Sequence, residues 1–268
     1  MTSKVLVEIK APVATITLNK PERLNAVDVE VWEGIREAAI AVDAAPGVRV
    51  AIVQGAGGAF CAGLDVKAGS TLGDLTGVSP GSAMARIREH LGHLQECFTR
   101  LEQIRVPVIA AIQRVCIGAG MELALCCDIR LAAEGTVFSI PEVQLGIVPD
   151  MGGTQRLPRT IGVGMAKELI YTARRFDAAE ALRIGFVNHV YPAGELGARA
   201  AELAAEIAAN GPLAVRAAKR SIDGTYWHDR DAWLRWEAEQ AVGPLLSEDR
   251  KAGMKAAALR KRADFQGN

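Results

Sequence analysis

Three carboxylates stand where a chain would ordinarily place apolar or turn residues. Glu122 follows a glycine turn in "CIGAGMELALCC"; Glu142 follows Ser-Ile-Pro and Asp150 follows Ile-Val-Pro in "SIPEVQLGIVPDMGGTQRLPR". Carboxylates are almost never fully buried unless they are paired or employed in chemistry. Beside an apolar channel, such acids can carry protons to and from a bound organic substrate. Three of them in one apolar space cannot all ionise cheaply. Desolvation and mutual repulsion raise at least one pKa, so a protonated acid and an ionised base coexist near neutral pH. The competing readings are structural: a cap on the helix after Asp150, and a first-turn dipole partner for Glu122.

Two glycine turns could supply a complementary feature. "FCAGLD" (60–65) and "IGAGME" (117–122) each leave an apolar strand and turn at glycine. Glycine lets the backbone approach a ligand closely and present bare N–H groups. Two such turns facing one another would make an oxyanion hole; each alone could equally be a tight packing turn. Nucleotide motifs fail here. After "GAGG" (55–58) a G-x-G-x-x-G pattern meets Phe60, and a P-loop meets Leu64 where lysine is required.

The elements that must position these residues are legible from periodicity. Residues 4–10 and 13–19 alternate as two strands around a turn at Ala11-Pro12. Asp28 caps a helix to about residue 45, with Val31, Ile35, Ala38, Ala39 and Val42 on one face. "VRVAIVQG" and "VPVIAAIQ" read as buried strands, and a helix is expected over 84–104. Residues 69–82 read as a surface insertion rich in Gly, Ser, Thr and Pro. "RVCIGAGMELALCC" turns into a short helix, and "DIRLAAEGTVFSI" returns to strand. From residue 160 the pattern is helical apart from "GFVNHVYP". This predicts a strand-rich α/β core over 1–195 and a helical region over 196–268.

Bulk properties exclude several function classes. Lys plus Arg and Asp plus Glu number 31 each, so there is no electrostatic footprint for nucleic acid or an anionic membrane. No apolar run approaches a membrane span, and the N-terminus lacks a signal-peptide block. Five cysteines without C-x-x-C point to reduced thiols and a cytoplasmic setting, and "DFQGN" is no peroxisomal address. Cys61, Cys126 and Cys127 are expected to pack rather than react. His90 and His93 read as solvated helix residues, because no acid or cysteine accompanies them as a metal ligand. Arg156 and Arg159 fit either a subunit contact or a phosphate. The C-terminal tryptophans read as packing residues.

"KPERLNAV", "AFCAGLDVK", "CIGAGMELALCCDIRLA", "FSIPEVQLGIVPDMGGTQRLPRTIG", "ELIYTARRFDAAEALRIGFVNHVYP" and "NGPLAVRAAKRSI" occur in this order. Together they resemble the crotonase (enoyl-CoA hydratase/isomerase) superfamily over essentially the whole chain. The resemblance implies an α/β fold: a spiral of ββα units followed by a helical trimerisation region, with trimers or hexamers as the assembly. It implies an acyl-CoA substrate whose thioester oxygen sits between the N–H groups of Leu64 and Ala119. It places Arg23, Ala26, Ala62, Asp65 and Lys67 against coenzyme A, with no separate cofactor, no metal, no nucleic acid and no membrane partner. Glu122 and Glu142 match the glutamate pair of hydratases. Asp150, where most hydratases have glycine, resembles the Δ3,5,Δ2,4-dienoyl-CoA isomerases, as do "CIG", "DIR", "YTAR" and the extra segment within 69–96. Dienoyl-CoA isomerisation through Glu122, Glu142 and Asp150 is therefore the leading expectation. Enoyl-CoA hydration is the alternative, and an RNA-binding protein on the same fold is the alternative of another class.

Overall fold

A first strand exposed over most of its length sets the sheet edge, and burial alternates along the second. In the computed structural model, which describes residues 4–68, 76–225 and 229–268, β1 (Val5–Lys10) and β2 (Val13–Leu18) form the antiparallel hairpin the sequence predicts. Asp28 caps α1 (Val29–Ala44) by accepting from Val31 N, and the predicted apolar face is buried. Next come β3 (Val50–Gly55), α2 (Pro80–Glu102), β4 (Val108–Ile112), β5 (Val115–Ile117), α3 (Ala119–Leu125), β6 (Ile129–Ala133) and β7 (Val137–Ser139). Helix α2 begins four residues earlier than predicted, because Ser79 caps it and Pro80 takes its first turn. The expected surface insertion at 69–82 lies outside the described residues over 69–75, as does Trp227.

The rest of the chain supplies α4 (Gly153–Ile161), α5 (Val163–Thr172), β8 (Phe176–Asp177), α6 (Ala178–Arg183), β9 (His189–Tyr191), α7 (Leu196–Ala208), α8 (Pro212–Gly224), α9 (Arg230–Leu246) and α10 (Glu248–Ala258). A six-stranded sheet has the order β1-β2-β3-β4-β6-β9 and is parallel except at β1; β5-β7-β8 form a second sheet. Strand β4 is buried at every position, as expected for a parallel strand covered on both faces. One face is covered by a large cluster that includes α1 and α2. The other face, with Val50, Ile109 and Leu131, is covered by Leu196, Ala200 and Ala204 of α7. Packing therefore groups α7 with the α/β core, and the predicted division at residue 195 falls before a helix that the sheet needs. Among the described residues no helix is long and apolar enough to cross a membrane.

The small sheet rests on an aromatic cluster. Phe138 stacks on Phe176 at 5.4 Å and meets Phe186 edge-on at 5.4 Å. The short strand carrying Phe176 is not apparent in the sequence, where "ARRFDAAE" shows no alternation; packing against Phe138 makes it a strand. Truncating Phe138, which is fully buried, removes this support and leaves a cavity. Phe138→Ala should destabilise the fold by about 3–5 kcal/mol, measurable as a lower midpoint in denaturant unfolding.

Candidate active site

Three chain segments run in parallel through one row. Cys61 bridges Cys116, and Cys116 pairs with Phe138. Cys61 N donates to Val115 O, Ile117 N donates to Cys61 O, and Gly118 N donates to Ser139 O. Parallel neighbours deliver their carboxyl ends to the same edge. Three to six residues beyond the row lie Leu64, Ala119, Glu122 and Glu142, which is why sequence-distant motifs converge.

The two glycine turns sit against each other. Gly63 has a φ of +93°, and a Cβ there would come within 2.8 Å of Ile117 O and 3.8 Å of Ala119 N. Gly118 has a φ of +53°, and a Cβ there would come within 2.8 Å of Glu142 Oε1. Glycine is thus required at Gly118 both by backbone conformation and by the nearby carboxylate. Among the described residues the N–H groups of Leu64 and Ala119 have no acceptor. The two turns thus bring the Leu64 and Ala119 amides close together.

Glu122 and Glu142 are buried, at 2% and 8% exposure. Glu122 Oε1 accepts from Met151 N at 3.0 Å and Gly153 N at 2.9 Å. Glu142 Oε2 is buried and has no hydrogen-bond partner among the described residues. Burial, then the neighbouring Glu142 charge, pushes the Glu122 carboxyl up to about 8, against the pull of its two amide donors. Burial, joined by the Asp150 charge, pushes Glu142 up to about 7. Asp150 is half-buried and also raised, mainly by desolvation. It caps no helix: Gly152 is the N-cap of α4, without a side-chain cap. The structural reading of Asp150 therefore fails, and the three acids share one electrostatic environment.

Sequence reasoning missed the frame around them. Arg156 donates from Nε and Nη2 to the two Glu102 oxygens at 3.1 and 2.7 Å, from Nη2 to Thr99 Oγ1 at 3.0 Å, and from Nη1 to Met151 O at 3.1 Å. This inward fork gives Arg156 a role that neither sequence reading offered: it ties the segment that grips Glu122 to α2. Gln95 Nε2 adds a bond to Asp150 O at 2.6 Å.

The predicted coenzyme A residues lie on two loops zipped together. Ala62 N donates to Leu24 O, Val27 N to Gly63 O, and Asp65 N to Val27 O. Ala26 is buried in this contact. Asp65 is also buried; it pairs with Lys20 at 2.7 Å and Arg23 at 2.9 Å, and Lys67 N donates to its Oδ1 at 3.1 Å. The Arg23 and Lys20 bonds hold the Asp65 carboxyl well below the usual carboxylate range. Lys20 also pairs with Asp28 at 2.5 Å. Asn25, at φ +57°, accepts from Lys20 N and donates to Ala59 O. Lys20 and Asn25 are further positioning residues that sequence did not single out. The Asn within a loop pattern was the available signal, since Asn tolerates a positive φ. Lys67 is exposed. Cys61 is buried, with its thiol pushed up to about 12, in keeping with a packing role.

Known proteins share the fold. A profile of the enoyl-CoA hydratase/isomerase family matches residues 8–268. The chain belongs to that family. It is 38% identical over 262 residues to a crotonyl-CoA hydratase of Syntrophomonas wolfei, covering 97% of each chain. It is 35% identical over 253 residues to a peroxisomal Δ(3,5)-Δ(2,4)-dienoyl-CoA isomerase of Arabidopsis thaliana, covering 93% of this chain and 91% of the relative. The crystal structure of an enoyl-CoA hydratase from Bacillus anthracis superposes with a TM-score of 0.89 at 36% identity, covering 99% of this chain and 100% of that one. The fold is thus the crotonase fold, and the protein is an enzyme of the enoyl-CoA hydratase/isomerase family, whose members act on acyl-CoA substrates. Hydratase names are more frequent among the relatives than the isomerase name, so the sequence-based preference for dienoyl isomerisation is not supported.

Two outcomes test the site. Arg156→Ala should cost about 1.5–3 kcal/mol through its lost charged hydrogen bonds. It should also loosen the Met151 and Gly153 amides, which favour ionised Glu122, and so move the alkaline limb of the pH–rate profile upward. The second outcome concerns stability. A buried carboxyl with a raised pKa binds its proton more tightly in the folded state, so stability falls as pH rises from the ordinary carboxyl value through the folded one. For Glu142 that window runs from 4.5 to about 7. Glu142→Gln should match the wild type near the bottom of the window and exceed it by about 1–3 kcal/mol above the top, read by denaturant unfolding at both ends.

Proposed function

We propose that the protein hydrates 2-enoyl-CoA thioesters, and that Glu122 and Glu142 are its acid–base pair. One observation carries this reading: the two carboxyls are buried together, one held by two backbone amides and the other left with an unpartnered oxygen. The Leu64 and Ala119 amides receive the thioester oxygen. The ionised carboxyl of the pair takes a proton from water as the water oxygen bonds to Cβ. The displaced electron pair moves through Cα to the thioester oxygen, giving an enolate. Each oxyanion donor stabilises that charge by about 3–4 kcal/mol. The protonated carboxyl then delivers its proton to Cα, and the addition is complete on one face. Values of about 8 and about 7 keep one proton on the pair near neutral pH, which this division of labour requires.

Coenzyme A is assigned to Arg23, Ala26, Ala62, Asp65 and Lys67. Lys67 and Arg23 supply positive charge for phosphate. Asp65, already bound to Lys20 and Arg23, acts by orienting Arg23. Exposed Leu234, Val242, Leu245 and Leu246 on α9 support assembly into trimers or pairs of trimers. Five free cysteines support a cytoplasmic setting. A formal net charge of zero favours this enzymatic reading over RNA binding.

Asp150 favours a second reaction. It is a half-buried acid whose charge raises both glutamates and which serves no helix. In dienoyl-CoA isomerisation, Glu142 and Asp150 would move protons at the two ends of a 3,5-diene, one removing and one delivering, with Glu122 polarising the pair.

Incubation with crotonyl-CoA and, separately, with a 3,5-dienoyl-CoA discriminates the two. The expected result is loss of enoyl absorbance with a bell-shaped pH–rate profile, and a drop of about 10²–10⁴-fold in Glu142→Gln. A new band from a diene conjugated with the thioester carbonyl, abolished in Asp150→Asn, would establish isomerisation instead. No turnover of either thioester would overturn both readings.

A further inference from the structure

Helices α1 and α2 run side by side in the same direction. Glu33 faces His93, Arg36 approaches Glu96 at 4.0 Å, and Asp43 meets Arg100 at 3.6 Å. This packing brings three metal-ligating groups together. A Glu33 carboxylate oxygen, a His93 ring nitrogen and Cys97 Sγ all lie within 4.8 Å of one another. His93 and Cys97 stand one turn apart on α2 and so share a face. Glu33 is supplied by the neighbouring helix. The sequence separates Glu33 from His93 by 60 residues, which is why His93 reads there as a solvated residue without companions.

We propose that Glu33, His93 and Cys97 form a site for a thiophilic divalent cation of the zinc type, separate from the acyl-CoA site. One sulfur, one imidazole nitrogen and one carboxylate oxygen suit Zn²⁺ or Co²⁺, with solvent as the fourth ligand. Mg²⁺ and Ca²⁺ require oxygen donors and do not suit it. Zinc bonds of about 2.0–2.3 Å put tetrahedral ligands about 3.3–3.8 Å apart. The exposed His93 ring and the Glu33 carboxylate can close that gap by rotation, while buried Cys97 is already fixed in the helix interface. Glu33 is partly oriented for the task. Arg36 Nε holds its Oε2 at 3.2 Å, and its Oε1 is directed at His93 Nε2.

Binding displaces a proton. The incoming ion bonds the sulfur as a thiolate, and one proton leaves to solvent, so affinity increases with pH. The same helix holds Gln95 against Asp150 O and Thr99 and Glu102 against Arg156. An ion joining α1 to α2 therefore braces the support of the catalytic loop as well as the fold.

The full-length protein, reduced and freed of metal, is titrated with Co²⁺ and then with Zn²⁺ and Mg²⁺. The expected result is a thiolate-to-cobalt charge-transfer band that saturates at one ion per chain, is displaced by Zn²⁺ and is insensitive to Mg²⁺. Zinc should also raise the thermal unfolding midpoint. Cys97→Ser should lose the band. His93→Gln, at an exposed position that leaves the fold intact, should weaken binding at least about tenfold. Absence of the band in the wild type, or unchanged affinity in His93→Gln, would overturn the proposal, whether or not the thioester assays succeed.

Discussion

A carboxyl group buried beside another carboxyl is the constraint around which this molecule is organised. Glu122 sits almost fully out of water, and the proposed hydration needs it able to exchange a proton. Two amide donors on one oxygen lower the penalty of its charge, and the neighbouring Glu142 raises it again. The balance holds the group near neutrality instead of at either extreme. That balance needs amides at fixed positions. The segment that leads through Met151 into α4 is held by side chains: Arg156 through Glu102 and Thr99, and Gln95 from the side. Helix α2 is thus the strut for a site none of whose reacting groups it carries.

A second set of charges solves the opposite problem. Lys20, Asp28, Asp65 and Arg23 are paired, so ionisation is favoured there. These groups pin one loop to the other and fix where the Leu64 amide points. Charge at the reaction centre is left imperfectly compensated and usable. Charge at the loop anchor is compensated and inert. The separation follows from partner counts: Asp65 has cationic partners and Glu142 Oε2 has none.

Local signals made much of this legible in the sequence. Apolar periodicity located α1 with its Asp28 cap, and the buried strands β3 and β4. The ordered motifs placed Glu122, Glu142, Leu64 and Ala119 in one family pattern, and the structure converges them on one edge. What was illegible depends on contacts between distant residues. Strand Phe176–Asp177 exists because Phe138 is beside it. Arg156 turns inward because Glu102 waits on α2, 54 residues earlier. Helix α7 reads as one more Ala-rich helix until the bare face of the sheet is seen beneath it. Local sequence also offered Asp150 as a helix cap, but the cap position is Gly152, where φ is +99° and a Cβ would come within 1.8 Å of the Arg156 guanidinium.

Asp150 bears on both proposed reactions, because its charge reaches both glutamates. In a low-dielectric pocket a charge influences its neighbours without touching the substrate. An ionised Asp150 raises the cost of ionising Glu122 and Glu142, so it helps retain the proton that the pair must share. That influence serves hydration as an electrostatic setting. It serves isomerisation only if the acid also reaches the far end of a conjugated chain. The same residue can therefore have a tuning role in one reaction and a proton-carrying role in another. Under the proposed function, the length and unsaturation of the acyl substrate decide which role is expressed.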